Sequence, residues 1–215
     1  MKRVTDDNIN THGYWDSVYE SEPIHVFRVD PPRLRALDRW IRVREEEVQR
    51  AARIYDYGCG RGDALIHLWR ERPDRTLVGV DISSVAIQHA RARIAAEAPR
   101  FPGTDHTSDK RITVFDQGVD VLVPFDIVWC GETIEHVENP DGLIRQLAFA
   151  CAHDGFVVLS TPFKGRNRSP EHVHEFSPDD ITRWAAEIGE LVFLDCLLLP
   201  SWLTMFAVFR KGKHT

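Results

Sequence analysis

Seven residues, Asp56-Tyr57-Gly58-Cys59-Gly60-Arg61-Gly62, constrain this chain more than any other stretch. They begin at the end of Arg53–Tyr57, which reads as a strand, and precede a helical pattern over residues 63–70. Glycines so spaced let a backbone turn sharply and lie close to a ligand, because a Cβ would intrude. A dinucleotide-binding turn would read G-x-G-x-x-G, yet the position of its third glycine holds Asp63. Glycine comes one residue earlier instead, and an aspartate precedes the first one. The next strand, Thr76–Val80, leads to Asp81, 19 residues after Gly62. A carboxylate at that spacing accepts both hydroxyls of a ribose. The pairing requires an adenosine-bearing ligand but no phosphate.

The rest of the chain alternates in the same way. Strands are expected at Ile112–Phe115, 125–130, 156–160, 191–199 and 202–209. Helices are expected after Pro31-Pro32, from Ser84 to near Pro99, over 140–152, and from Pro178 to near Gly189. Strands separated by helices imply crossover units. The fold class is therefore α/β, a Rossmann-like, seven-stranded, mostly parallel sheet with helices on both faces. Ligands of such sheets lie beyond the carboxyl ends of the strands. Residues 1–50, with Tyr14, Trp15 and Tyr19, read as an N-terminal lid and helix, and residues 51–215 as the ligand-binding domain. A formal net charge of −6 disfavours a broad nucleic-acid surface. Four scattered cysteines without a Cys-x-x-Cys pair suit reduced thiols. The longest apolar run, near 192–199, is interrupted by Asp195 and too short to span a bilayer. No secretory signal follows Met1, so the expected location is the cytoplasm, without a membrane partner.

Asp56 to Gly62, Asp81 and the later Phe125-Asp126-Ile127-Val128 resemble the class I S-adenosylmethionine (SAM)-dependent methyltransferases over about residues 51–209. The resemblance implies the class I methyltransferase fold and SAM as cofactor. It implies that Asp56, Gly58, Cys59, Gly60 and Gly62 line the methionine part, that Asp81 holds the ribose, and that Ile82 packs on the adenine. Asp116 would approach the adenine amino group, and Gln117, Cys130 and Tyr19 would complete the cofactor-lining set.

A second cluster follows the fourth strand: Glu132-Thr133-Ile134-Glu135-His136. Were it helical, Glu132, Glu135 and His136 would share one face at i, i+3 and i+4. Downstream lie His172 and His174, beside a basic loop of Lys164, Arg166 and Arg168. Two chemistries fit. His136 can act as a general base oriented by a carboxylate, with Glu135 and Glu132 as catalytic neighbours and His172, His174 and Lys164 meeting the substrate. Alternatively, Glu132, Glu135, His136 and one of His172 or His174 can bind a divalent metal. No metal is the favoured expectation. The metal arrangement is similar to the small-RNA 3′-terminal 2′-O-methyltransferases, whereas the short Glu-His-Val-x-Asn-Pro form also resembles small-molecule and sugar methyltransferases. The expected partner is a small-molecule acceptor, methylated on a hydroxyl or amine of a sugar or biosynthetic intermediate. The alternatives are a metal-dependent RNA 2′-O-methyltransferase and a non-catalytic SAM-binding regulatory domain.

Overall fold

Buried parallel strands favour continuous apolar runs, which Thr76–Val80 and Phe156–Ser160 come near to, whereas Arg53–Tyr57 carries two charged residues. The computed structural model describes residues 1–5, 8–21, 31–48, 52–98, 111–116, 123–165, 169–198 and 203–212. The chain divides into two compact units, one of residues 11–120 and one of residues 1–10 and 121–215.

The first unit holds α1 (His12–Ser21), α2 (Pro31–Val48), β2 (Arg53–Tyr57), α3 (Asp63–Glu71), β3 (Thr76–Val80), α4 (Ser84–Glu97) and β4 (Ile112–Phe115). β2 pairs in parallel with β3, and β3 in parallel with β4. α3 buries Ala64, Leu65, Ile66, Leu68 and Trp69, so nearly its whole surface is core. Ser83 caps α4, its hydroxyl accepting from Ala86 N at 3.1 Å. α2 buries Leu34, Leu37 and Ile41, and also sends Asp38 and Glu45 inward to the wholly buried Arg75. The Arg75 guanidinium donates to Glu45 Oε1 at 2.7 Å, Glu45 Oε2 at 3.1 Å and Asp38 Oδ1 at 3.1 Å. This fork fastens α2 to the start of β3.

The second unit holds β1 (Lys2–Arg3), β5 (Phe125–Gly131), a 3₁₀ turn (Ile134–His136), α5 (Pro140–Ala150), β6 (Cys151–Pro162), β7 (His174–Glu175), α6 (Pro178–Arg183), α7 (Ala185–Ile188), β8 (Gly189–Leu198) and β9 (Leu203–Lys211). β5 runs parallel to β6, β9 antiparallel to β6, and β8 antiparallel to β9. β1 forms a separate antiparallel pair with β7. The remaining strands belong to a seven-stranded, mostly parallel sheet, as expected. Among the described residues no helix is long and apolar enough to cross a membrane.

One expected element differs, and one conditional geometry does not form. The single helix expected from Pro178 is two, α6 and α7, broken at Trp184. Trp184 is 1% exposed, packs its ring 5.1 Å from that of Phe176 and donates to Asp141 Oδ1 at 2.8 Å, so tertiary packing sets the break. The helical option for Glu132 to His136 is realised only as the 3₁₀ turn over Ile134–His136. Glu132 lies outside it at φ 51°, its N–H bonded to Ser160 O at 2.8 Å. The i, i+3, i+4 face therefore does not form. The expected loop over 100–110 and the start of the last strand at Trp202 lie outside the described residues.

Candidate active site

In the first unit the turn after β2 takes positive φ at all three glycines, 76° at Gly58, 51° at Gly60 and 75° at Gly62. Gly58 N and Cys59 N both donate to Val80 O, at 2.8 and 2.9 Å, which folds the turn over the end of β3. Gly60 is the tightest point. A Cβ there would stand 2.7 Å from the Tyr19 hydroxyl. Tyr19 is held by the buried Arg61, which donates to Tyr19 O at 2.9 Å and lies 5.2 Å from its ring centre.

Asp81 ties the turn to the next helix. Its Oδ2 accepts from Gly60 N at 2.8 Å and its Oδ1 from Ser83 N at 2.9 Å. Each carboxylate oxygen has a second lone pair, so the geometry presents two acceptors side by side. Burial raises the Asp81 pKa above the usual carboxylate range, against these two hydrogen bonds. Asp56 is more extreme. It is 2% exposed, and its Oδ2 has no hydrogen-bond partner among the described residues. Burial holds its pKa well above the usual value, and the negative charges of Asp81 and Asp63 add to this. Asp63 is itself paired with Arg93 at 2.6 Å. Beyond the strand ends, Ile82 at 45% and Phe115 at 36% exposure offer apolar surface next to Asp116.

In the second unit, Glu135, His136 and His172 bring their ligand atoms within 4.8 Å of one another. Val173 N donates to Glu135 O at 2.9 Å, knitting the 3₁₀ turn to the 169–174 segment. Thr161 Oγ1 donates to Glu135 Oε2 at 3.1 Å. His136 Nδ1 stands 3.0 Å from Glu171 O. A carbonyl only accepts, so Nδ1 carries the proton and Nε2 is the unprotonated nitrogen. That Nε2 lies 3.8 Å from Glu135 Oε1, and the centres of the His136 and His172 rings are 5.0 Å apart at an interplanar angle of 67°. Burial pushes the His136 pKa down to about 4, assisted by His172 and opposed by the Glu171 carbonyl and carboxylate. The imidazole is therefore neutral near pH 7.

The methyltransferase-domain family matches residues 31–190, nearly three quarters of the chain. The chain belongs to that family. A ubiquinone biosynthesis O-methyltransferase of Albidiferax ferrireducens is 29% identical over 163 residues, covering 74% of this chain and 56% of that protein. The chain thus spans little more than half the length of that curated relative. Magnesium protoporphyrin IX methyltransferase from Synechocystis PCC 6803 with bound SAM superposes with a TM-score of 0.69 at 16% identity, covering 99% of this chain and 100% of that one. A Burkholderia thailandensis 1,6-didemethyltoxoflavin-N1-methyltransferase, with its substrate and S-adenosylhomocysteine bound, gives 0.64 at 14% identity, covering 94% and 84%. At these identities the two structures establish the shared fold, the class I methyltransferase fold.

The structure brings Tyr19, Asp56, Gly58, Cys59, Gly60, Gly62, Asp81, Ile82 and Asp116 into the first unit. Cys59 is a buried space-filler there. A Cβ on Gly79 would stand 2.9 Å from its Sγ, and burial pushes its thiol pKa well up. Cys130 is fully buried in β5 of the second unit, and Lys164 is exposed in the turn after β6. His174 bonds through Nε2 to Glu138 O at 3.3 Å, and neither it nor Glu132 belongs to the three-residue cluster. Gln117, Arg166 and Arg168 lie outside the described residues.

Sequence reasoning missed Asp16, Arg61, Phe115 and Thr161. Asp16 on α1 accepts from Ser83 Oγ at 2.6 Å and from Val85 N at 3.2 Å, adding a carboxylate to the positive N-terminus of α4. The Ser83 hydrogen bond in particular holds its pKa below the usual value. Only Phe115, an aromatic residue ending a strand, carried a signal that could have been read.

Proposed function

We propose that the chain is a SAM-dependent methyltransferase that methylates a hydroxyl or amine of a small molecule. The observation that carries this reading is an acidic glycine cradle. A bare-backbone turn beside the buried Asp56 and the half-buried Asp81, both with raised pKa, suits a cationic ligand, and it repels the phosphates that glycine-rich nests can receive. The residues present fit SAM. The unpartnered Asp56 Oδ2 would take the ammonium of its methionine part. The free lone pairs of Asp81 would take the ribose hydroxyls. Ile82 and Phe115 would flank the adenine, with Asp116 at its amino group, and Tyr19 would cover the turn.

When bound, SAM supplies an electrophilic methyl group and departs as S-adenosylhomocysteine. His136 Nε2 takes the proton released by the acceptor. A base of pKa about 4 suffices for a hydroxyl acceptor, because the oxygen becomes strongly acidic as its bond to carbon forms. Glu135, held by Thr161, steadies the imidazolium that results. His172 and the exposed Lys164 would meet the acceptor. The chain's four free cysteines fit the reducing cytoplasm, where we place it.

One observation favours a second reading: Glu135, His136 and His172 form a ligand set for a divalent cation that would lower the pKa of an acceptor hydroxyl. Release of S-adenosylhomocysteine with a panel of hydroxyl and amine acceptors, with and without chelator, tests both readings. Under the first, His136→Ala lowers turnover by about 100-fold, SAM affinity holds and chelator has no effect. Loss of turnover on chelation supports the cation. Unchanged turnover in His136→Ala removes His136 from the chemistry.

A further inference from the structure

The Glu171 carbonyl accepts two side-chain hydrogen bonds, from His136 Nδ1 at 3.0 Å and from Asn10 Nδ2 at 2.8 Å. A carbonyl oxygen has two lone pairs, so both are committed. The Asn10 amide has one possible orientation. Its Nδ2 also donates to Asn8 Oδ1 at 2.9 Å, and its backbone N donates to the same oxygen at 3.0 Å. A flipped amide would set its oxygen against two acceptors, Glu171 O and Asn8 Oδ1. Asn8 is anchored in turn, donating to Glu138 Oε2 at 3.3 Å, and Glu138 also takes Arg3 Nη1 at 2.5 Å. The 171–172 peptide is therefore gripped on both sides. His172 N donates to Ser169 O at 3.1 Å, and Asn10 holds the carbonyl.

We infer that Asn10 is a positioning residue for His136: by occupying one lone pair of the Glu171 carbonyl it aims the other at the imidazole, which stays in the Nδ1–H form with Nε2 unprotonated. The inference rests on the proton-accepting role proposed above for His136. A tautomer with the proton on Nε2 would present a donor where an acceptor is required. Without Asn10 the carbonyl keeps the His136 hydrogen bond but loses the contact that fixes its direction, and a water can take the vacated lone pair.

The test uses the full chain, with Asn10→Ala and the near-isosteric Asn10→Asp, whose carboxylate cannot donate. Two readouts are the ¹⁵N shifts of the histidine side chains, assigned with His136→Ala, and steady-state kinetics. The expected result is a pure Nδ1–H tautomer for His136 in the parent and a mixed tautomer in both variants. Turnover should fall about tenfold while SAM affinity stays unchanged. A pure Nδ1–H tautomer in the variants, or unchanged turnover, overturns the inference. If His136→Ala itself keeps full turnover, the proton-transfer reading fails instead, and the tautomer spectra alone decide whether Asn10 positions the ring.

Discussion

Asp56→Asn should improve the free protein and impair its binding of SAM. Asp56 is buried to 2% exposure with an unpartnered oxygen, and its raised pKa comes first from burial and then from Asp81 and Asp63. A folded-state pKa above the unfolded value means that the fold holds a proton which the unfolded chain has already lost. Stability therefore drops as pH rises from the usual carboxylate range to the raised value, and Asn removes that loss. A gain of about 1 kcal/mol corresponds to roughly 2–4 °C in Tm for a chain of this size. Binding moves the other way. A hydrogen bond to a charged group contributes about 1.5–3 kcal/mol and a neutral one about 0.5–1.5. Asn should thus weaken SAM by about 1–2 kcal/mol, roughly 5- to 30-fold. Calorimetric titration with SAM and thermal melts of the free protein at pH 8 measure the two effects. A lower Tm with unchanged SAM affinity would show that Asp56 is an ordinary structural carboxylate and refute the reasoning.

Three further perturbations probe separate parts of the fold. Gly60→Ala should cost about 1–2 kcal/mol for a side chain at φ 51°, plus the clash with the Tyr19 hydroxyl. Adding Tyr19→Phe leaves 3.6 Å to the nearest ring atom, so the double variant should recover the clash but not the strain in urea melts. Arg75→Ala strands Glu45 and Asp38 without their buried partner and should destabilise by about 3–5 kcal/mol in the same assay. His136 titrates at about 4 in the fold against 6.5 usually, so the unfolded chain takes the proton first and stability falls as pH drops from 6.5 to 4. The loss reaches about 3 kcal/mol, and His136→Gln should flatten that part of the pH profile measured by urea melts.

What the sequence revealed was local. Arg53–Tyr57, Thr76–Val80 and Ile112–Phe115 stand where their apolar runs placed them, because buried parallel strands carry their own signal and are stopped by glycine, proline or charge. The glycine turn was legible because positive φ is a demand on single residues. What stayed hidden depends on distant partners. Glu132 shares no helical face with His136 because its N–H is drawn to Ser160, and the last helix breaks because Trp184 is pulled into the core. Asn10 meets Glu171 across 161 positions, and Asp16 reaches Ser83 across 67. No periodicity encodes such pairs.

Isothermal titration of the purified chain with SAM, beside Asp81→Ala, bears most directly on the acidic cradle. A saturable SAM isotherm is expected, weakened at least about tenfold in the variant through loss of the ribose hydrogen bonds. Equal affinity in the two proteins, or a parent that ignores SAM and binds a phosphate-bearing dinucleotide, would contradict it.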